Sequence, residues 1–383
     1  MKPQTLQKTA LALLVGWYAA NAAAYSEQGQ AGNTKSWESA EYLKDWGLTS
    51  MNASTAYALG FNGSGVKIGV MDSGVLLNHP EFQDGRIHVV KTEGTYSKDG
   101  MRYPDASVGN GPINKNEPVK NGKRNFDKTD NGIFTKGEAF NIDGGWHKYT
   151  NDSHGTHVGG TMAASRDGNE MHGVAFGANL YSTNTGGNDN MTYGPNQDYS
   201  FFLQGYSALA DAGAKVINNS WGSNRRVNSS FAGALGYKPK YDWRDVPEYG
   251  VQYYDVPKAP EPISSPAAHI YLSNLGEAEK AYYQFVTSGE KNFVDAAYEV
   301  AKNKQVIQVF TAGNRSMMAE SFTRAMLPYF RPDAEKYWVN VTGQVGGEGY
   351  PNDSNDDVSD EKAGADIQEF NLAGHSKWWT IAA

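Results

Sequence analysis

The chain has 383 residues, 39% hydrophobic and 12% aromatic with 43 glycines, enough for a large core rich in turns, as one large domain or two ordinary ones. Its formal charge of −8 argues against nucleic acid as a partner. Cysteine is absent, which excludes disulfides, a cysteine nucleophile, thiolate metal sites and a lipid-anchoring cysteine, and leaves stability to the core or to bound ions.

Residues 1–24 read as a secretory signal peptide: Lys2 and Lys8, an apolar run from Ala10 to Ala20, then Ala22-Ala23-Ala24 before Tyr25. The apolar run is too short to span a bilayer. Losing those two lysines takes the charge from −8 to −10, as expected of a soluble exported protein. Ser36 to Trp46 has the pattern of a short amphipathic helix, Thr49 to Leu59 follows, and Asn62-Gly63-Ser64-Gly65 marks a turn. Val66 to Met71 is a short, mostly apolar run that suits a buried parallel strand, and it ends abruptly in Asp72-Ser73-Gly74. Ligands in open α/β sheets bind at the carboxyl ends of strands, which draws attention to Asp72, although an aspartate here can also simply cap the next turn. Residues 85–150 are rich in Asn, Gly, Lys and Asp and read as a surface excursion. Its acids Asp105, Glu117, Asp127, Asp130 and Asp143 could hold calcium, but their spacing matches no calcium-loop template.

Residues 151–165 carry the densest signal. Asp152 or Ser153 can cap a helix whose first turn contains His154, with small residues along Gly155, Gly159, Ala163 and along Thr156, Gly160, Ala164. Two small faces predict tight packing on both sides. The helix N-terminus disfavours imidazolium, which helps keep His154 neutral and able to accept a proton, while His157 points elsewhere. Strands are expected at Asn179 to Ser182, Ala214 to Asn219, Gln305 to Phe310 and Trp338 to Thr342, and helices at Ser200 to Ala212, Phe293 to Lys302 and about Glu320 to Tyr329. Residues 224–290 form a second, Tyr- and Pro-rich excursion. The alternation predicts a parallel sheet covered by helices on both faces, with Asp72, Ser220 to Gly222 and Asn314 just past three strands. An aspartate followed by a histidine supplies two parts of a serine-hydrolase triad, and Asn314 could donate to a developing oxyanion.

Val70-Met71-Asp72-Ser73-Gly74, the block from Asn151 to Gly160, Asn219-Ser220-Trp221-Gly222 and Thr311-Ala312-Gly313-Asn314 resemble, in order, the blocks of the subtilisin-like serine proteases over roughly residues 45 to 383. The resemblance implies a three-layer subtilisin-like α/β fold, with residues 25–383 forming a C-terminally truncated peptidase domain and insertions near 85–150 and 224–290. It implies that Asp72 is the triad acid, His154 the general base and Asn314 the oxyanion donor. Ser220, Trp221 and Gly222 would then pair with substrate backbone, and Ala312 and Gly313 would line a roomy apolar first pocket with Trp221. Glu81, in Asn78-His79-Pro80-Glu81-Phe82, stands where many members have a calcium-binding aspartate, so structural calcium is an expectation; catalysis requires no cofactor.

The family's nucleophile lies in Gly-Thr-Ser-x-Ala, and that motif does not occur in these 383 residues; Ser376 lacks its context. The chain is therefore expected to stop short of its nucleophile and to be silent by itself. The expected whole is an exported endopeptidase acting on polypeptides through an acyl-enzyme, the alternative being a peptide-binding pseudoprotease. The short N-terminal lead, the missing cysteine and the long asparagine-rich insertion resemble the Gram-negative autotransporter branch. In that branch the outer membrane is reached through a C-terminal barrel, which these residues do not include.

Overall fold

The computed structural model describes residues 29–101, 133–146, 151, 153–185, 198–221, 291, 293–312, 325, 327–343, 378 and 380–382. The segment expected to be a signal peptide, the excursion at 224–290, Gly222, Gly313, Asn314 and Ser376 lie outside them.

The N-terminal part is helical but broken. A 3-10 turn at Thr34–Trp37 precedes α1 (Ala40–Lys44), α2 (Trp46–Ser50) and α3 (Ala53–Ala58). One helix was expected over Ser36 to Trp46; instead Ser39 caps α1 through the amide of Tyr42, and Asp45 caps α2 through the amide of Gly47. Each cap begins a new helix, so the apolar period is cut into short pieces. Tyr42, Leu48, Ala53 and Tyr57 form their own small core, which packs on Val174 and Phe176.

The strands are β1 (Lys67–Asp72), β2 (Ile87–Val89), β3 (Thr92–Thr95), β4 (Gly100–Met101), β5 (Ile133–Phe134), β6 (Ala139–Ile142), β7 (Asn179–Asn184), β8 (Val216–Asn219), β9 (Ile307–Thr311), β10 (Trp338–Thr342) and β11 (Thr380–Ala382). Seven of them form one sheet in the order β11-β10-β9-β8-β1-β7-β2, parallel at every pairing. The remaining helices are α4 (His154–Ala163), α5 (Tyr199–Asp211), α6 (Phe293–Lys304) and the one-turn α7 (Leu327–Phe330). The expected helix around Glu320 to Tyr329 is thus seen only from Leu327, residues 313–324 being outside the described set.

Side chains of a strand alternate between the faces of its sheet, and β1 uses both. Ile68 and Val70 face α4, in a core with Val75, Phe82, Leu180 and Ala163. Met71 faces α5 and α6, in a larger core with Phe201, Phe202, Tyr206, Leu209, Phe293 and Phe310. The architecture is α/β, a mostly parallel sheet with helices on both faces. Helix α5 starts sharply because Asp198 accepts from the Phe201 amide and also holds Ser97 and the Lys98 amide.

Two expectations change here. The 85–150 stretch is not wholly a surface excursion: β2 is an edge strand of the main sheet, and β3 pairs antiparallel with β6. Tyr96, Phe134 and Phe140 are buried against Phe201. A few aromatics bury as much apolar area as a longer aliphatic run, so a polar average concealed a core contribution. The second change concerns α4. Gly155, Gly159 and Ala163 are buried as expected, and on the second stripe Ala164 is buried too, but a Cβ on Gly160 would meet nothing within 4 Å, so that stripe is open at Gly160.

Candidate active site

Asp72 is the last residue of β1, and the alternation that turns Ile68 and Val70 toward α4 turns its carboxylate the same way. It stands in the middle of the sheet, between β7 and β8, where consecutive crossovers depart to opposite sides. Such a switch point opens a crevice beyond the strand ends. Helix α4 brings His154 to that crevice, and its Nδ1–H donates to Asp72 Oδ1 at 2.9 Å. The carboxylate is fully buried, while the imidazole is 40% exposed. Ser73 N donates to the same oxygen at 2.7 Å. Asp72 Oδ2 is buried and has no partner among the described residues.

The turn after β1 and the first turn of α4 are fastened together. Ser73 Oγ accepts from the Gly155 amide at 2.8 Å, and Thr156 Oγ1 accepts from the Leu76 amide at 3.0 Å. Both bonds use side chains to satisfy backbone amides that regular structure leaves open. Gly155 is required by proximity: a Cβ there would lie 2.6 Å from the Gly74 carbonyl oxygen. Gly74 itself has φ +92°, a conformation that glycine adopts without strain. Behind the acid, the Asp72 carbonyl accepts from the amide and hydroxyl of Thr185 at 2.7 and 3.1 Å. His157, one turn along α4, is exposed.

The other residues singled out from sequence fare differently. Ser220 is half-buried and its Oγ accepts from Asn218 Nδ2. Ala312 is fully buried and its amide donates to Val341 O at 2.7 Å. Trp221 corrects an expectation about pocket lining: its indole is only 5% exposed, packs on Phe202 and Phe293, and donates from Nε1 to Met71 O at 2.7 Å. Its side chain props up β1 from inside the core. Sequence reasoning gave no role to Ser73, Thr156, Asn184 or Thr185. A signal existed in Ser182-Thr183-Asn184-Thr185, four buried polar residues in a row at a strand's carboxyl end.

A second buried carboxylate lies at the far end of α4. The carbonyl of Glu81 accepts from Ser165 N and Oγ at 3.0 and 2.8 Å. The carboxyl is pushed up from 4.5 to about 7, first by burial and then by the nearby acids Asp167, Glu41, Glu170 and Asp84. Its Oε2 has no partner among the described residues. Calcium takes six to eight oxygen ligands, roughly. Among the described residues no three His, Cys, Asp or Glu side chains converge to hold a metal ion. Asp143 instead accepts from the Gly145 amide, and Asp105, Glu117, Asp127 and Asp130 lie outside the described residues.

A parallel α/β sheet thus brings a buried aspartate and a partly exposed histidine together at the carboxyl end of a central strand. The family model for the subtilase peptidases matches residues 63–383, and the chain belongs to that family. It is 29% identical over 343 residues to an extracellular serine protease of Serratia marcescens, covering 88% of this chain and 26% of that protein. It is 28% identical over 275 residues to bacillopeptidase F of Bacillus subtilis, covering 67% of this chain and 16% of the relative. The chain thus spans about a quarter or less of the length of these relatives. Among solved structures it is similar to fervidolysin of Fervidobacterium pennivorans at 18% identity and a TM-score of 0.36, over 79% of this chain and 28% of that one.

Proposed function

We propose that this chain supplies the acid and the base of an exported serine endopeptidase, Asp72 orienting His154 and His154 activating a serine hydroxyl. The observation that carries the reading is the pairing of a fully buried carboxylate with a partly open imidazole at 2.9 Å. With Nδ1–H committed to Asp72, Nε2 keeps its lone pair, and a serine placed against it would lose its proton as it attacked the peptide carbonyl. His154 would then return that proton to the leaving amine, and water would release the acyl-enzyme by the same route. Asn314 is proposed as the oxyanion donor, and Ser220 to Gly222 with Ala312 and Gly313 as the strands that hold the polypeptide substrate by backbone pairing.

The Gly-Thr-Ser-x-Ala motif does not occur within the 383 residues, and the named relatives are several times longer, so in this reading a longer product would supply the nucleophile. Residues 1–24 would direct that product out of the cell, in keeping with the extracellular Serratia relative, and a C-terminal barrel would attach it to the outer membrane. The missing motif also favours a second reading, a peptide-binding pseudoprotease.

The test is to express the longest open frame containing this chain, beside its His154→Ala form and the 383-residue chain. Each is assayed on casein and with a serine-directed phosphonate. The expected result is labelling and cleavage by the long, unaltered form alone. A long form that folds and binds denatured polypeptide, but neither labels nor cleaves, replaces the protease reading with the binding one.

A further inference from the structure

Asn184 and Asn151 have no part in the proposed chemistry, yet they are 1% and 2% exposed and face each other beside it. Asn151 Nδ2 donates to Asn184 Oδ1 at 3.2 Å, and Asn184 Nδ2 donates to Asn151 Oδ1 at 3.0 Å and to Gly145 O at 2.8 Å. Asn184 is the register partner of Asp72 across β1 and β7 and forms an isolated bridge with Ser73. Asn151 lies three residues before His154, where α4 begins. One residue therefore reaches the acid through its backbone and the approach to the base through its side chain. The segment it grips is bound again to the turn after β1, since Trp146 N donates to Val75 O and Val75 N to Gly144 O.

We infer that the reciprocal Asn151–Asn184 amide pair is a positioning device that sets the distance and orientation of His154 against Asp72. An amide is the side chain this place demands. At position 184 it must donate to two oxygens, Gly145 O and Asn151 Oδ1, and also accept, which neither a carboxylate nor a hydroxyl can do. Both partners are buried, and removing either breaks both bonds of the pair, so the two act as a unit. The inference rests on the reading of Asp72 and His154 as an acid–base pair.

The test needs no nucleophile. In the folded chain carrying labelled histidine, the His154 Nδ1–H proton bonded to Asp72 gives a far-downfield resonance whose exchange with water can be measured. Asn184→Ala, and Asn184→Asp, which keeps the shape but faces two acceptors with a third, are expected to speed that exchange by about tenfold or to broaden the line away. Asn151→Ala should act in the same direction, more mildly because Asn184 keeps Gly145 O, and the Asn151→Ala, Asn184→Ala double variant should be no worse than Asn184→Ala alone. Asn340→Ala, which removes a buried asparagine bonded to Thr380 on the far side of the sheet, serves as the control for stability and should leave the line unchanged at a matched fraction below its melting temperature. If Asn184→Ala does not fold, Asn151→Ala decides the question. An unaltered His154 line in the folded Asn151 and Asn184 variants overturns the inference alone. A wild-type chain without the line overturns the acid–base pairing, and the inference with it.

Discussion

The two ends of α4 each meet a buried carboxylate, and the fold treats them differently. At the first turn, Asp72 is given donors: the Ser73 amide, the His154 imidazole and the nearby N-terminal pole of a helix. At the last turn, Glu81 lies among four other acids, with one oxygen unpartnered among the described residues and its carboxyl raised to about 7. What separates the two places is the set of groups each backbone turn aims at its carboxylate. A buried acid held by aligned donors can serve an imidazole. A buried acid among other acids responds instead to pH.

The largest expected effect breaks this comparison at its functional end. In a serine-bearing longer product, Asp72→Asn should cost about 10⁴-fold in kcat with little change in KM, a magnitude taken from other Asp-His-Ser enzymes, subtilisin included, rather than derived from this chain. Loss of a carboxylate that only capped a turn would alter melting behaviour and leave turnover within about threefold, which corresponds to a fraction of 1 kcal/mol in the barrier. Steady-state kinetics and thermal melts on the same preparations separate the two.

Next in size is Gly155→Ala. The added Cβ would lie 2.6 Å from Gly74 O and 2.9 Å from Gly74 N, both backbone atoms with little freedom to retreat. About 3 kcal/mol of destabilisation is expected, read by denaturant unfolding, together with a weakened His154–Asp72 proton resonance. Gly160→Ala on the open stripe is the matched comparison and should stabilise by up to about 1 kcal/mol through helix propensity. Equal effects at the two positions would mean that α4 is not seated on the turn after β1 in solution.

How much of this was legible in the sequence depends on the length of the signal. The apolar run of β1, the stripe on α5 and the order of strands and helices could all be read, because periodicity averages over many residues. Asp72 and His154 were legible because each stands in a motif with a distinctive local shape. Asn184 was not: an asparagine at a strand end looks like the start of a loop, and only the tertiary pairing with Asn151 reveals a buried amide. β2 was missed for a related reason, since three residues in a turn-rich stretch carry no period, and the sheet edge that recruits them is supplied by β7. The inward turn of Trp221 depends on Met71 O being open to its indole, a fact about a strand 150 positions away.

A further prediction sharpens the comparison at the other end of α4. The ordinary carboxyl value for Glu81 is 4.5 and burial among acids raises it to about 7 in the fold. Between those values the folded chain holds a proton that the unfolded chain has released, so stability is fully present below about pH 4.5 and drains away as pH rises through 7. The full shift corresponds to about 3 kcal/mol. Glu81→Gln keeps the size and removes the charge. In chelator-treated protein it should melt with the wild type near pH 4.5 and above it near pH 8, so the gap between the two melting curves should open across this interval. A constant gap would mean that Glu81 is ionised in the fold at every pH tested. Donors like those around Asp72 would then be present at both ends of α4, and the contrast between its two carboxylates would fail.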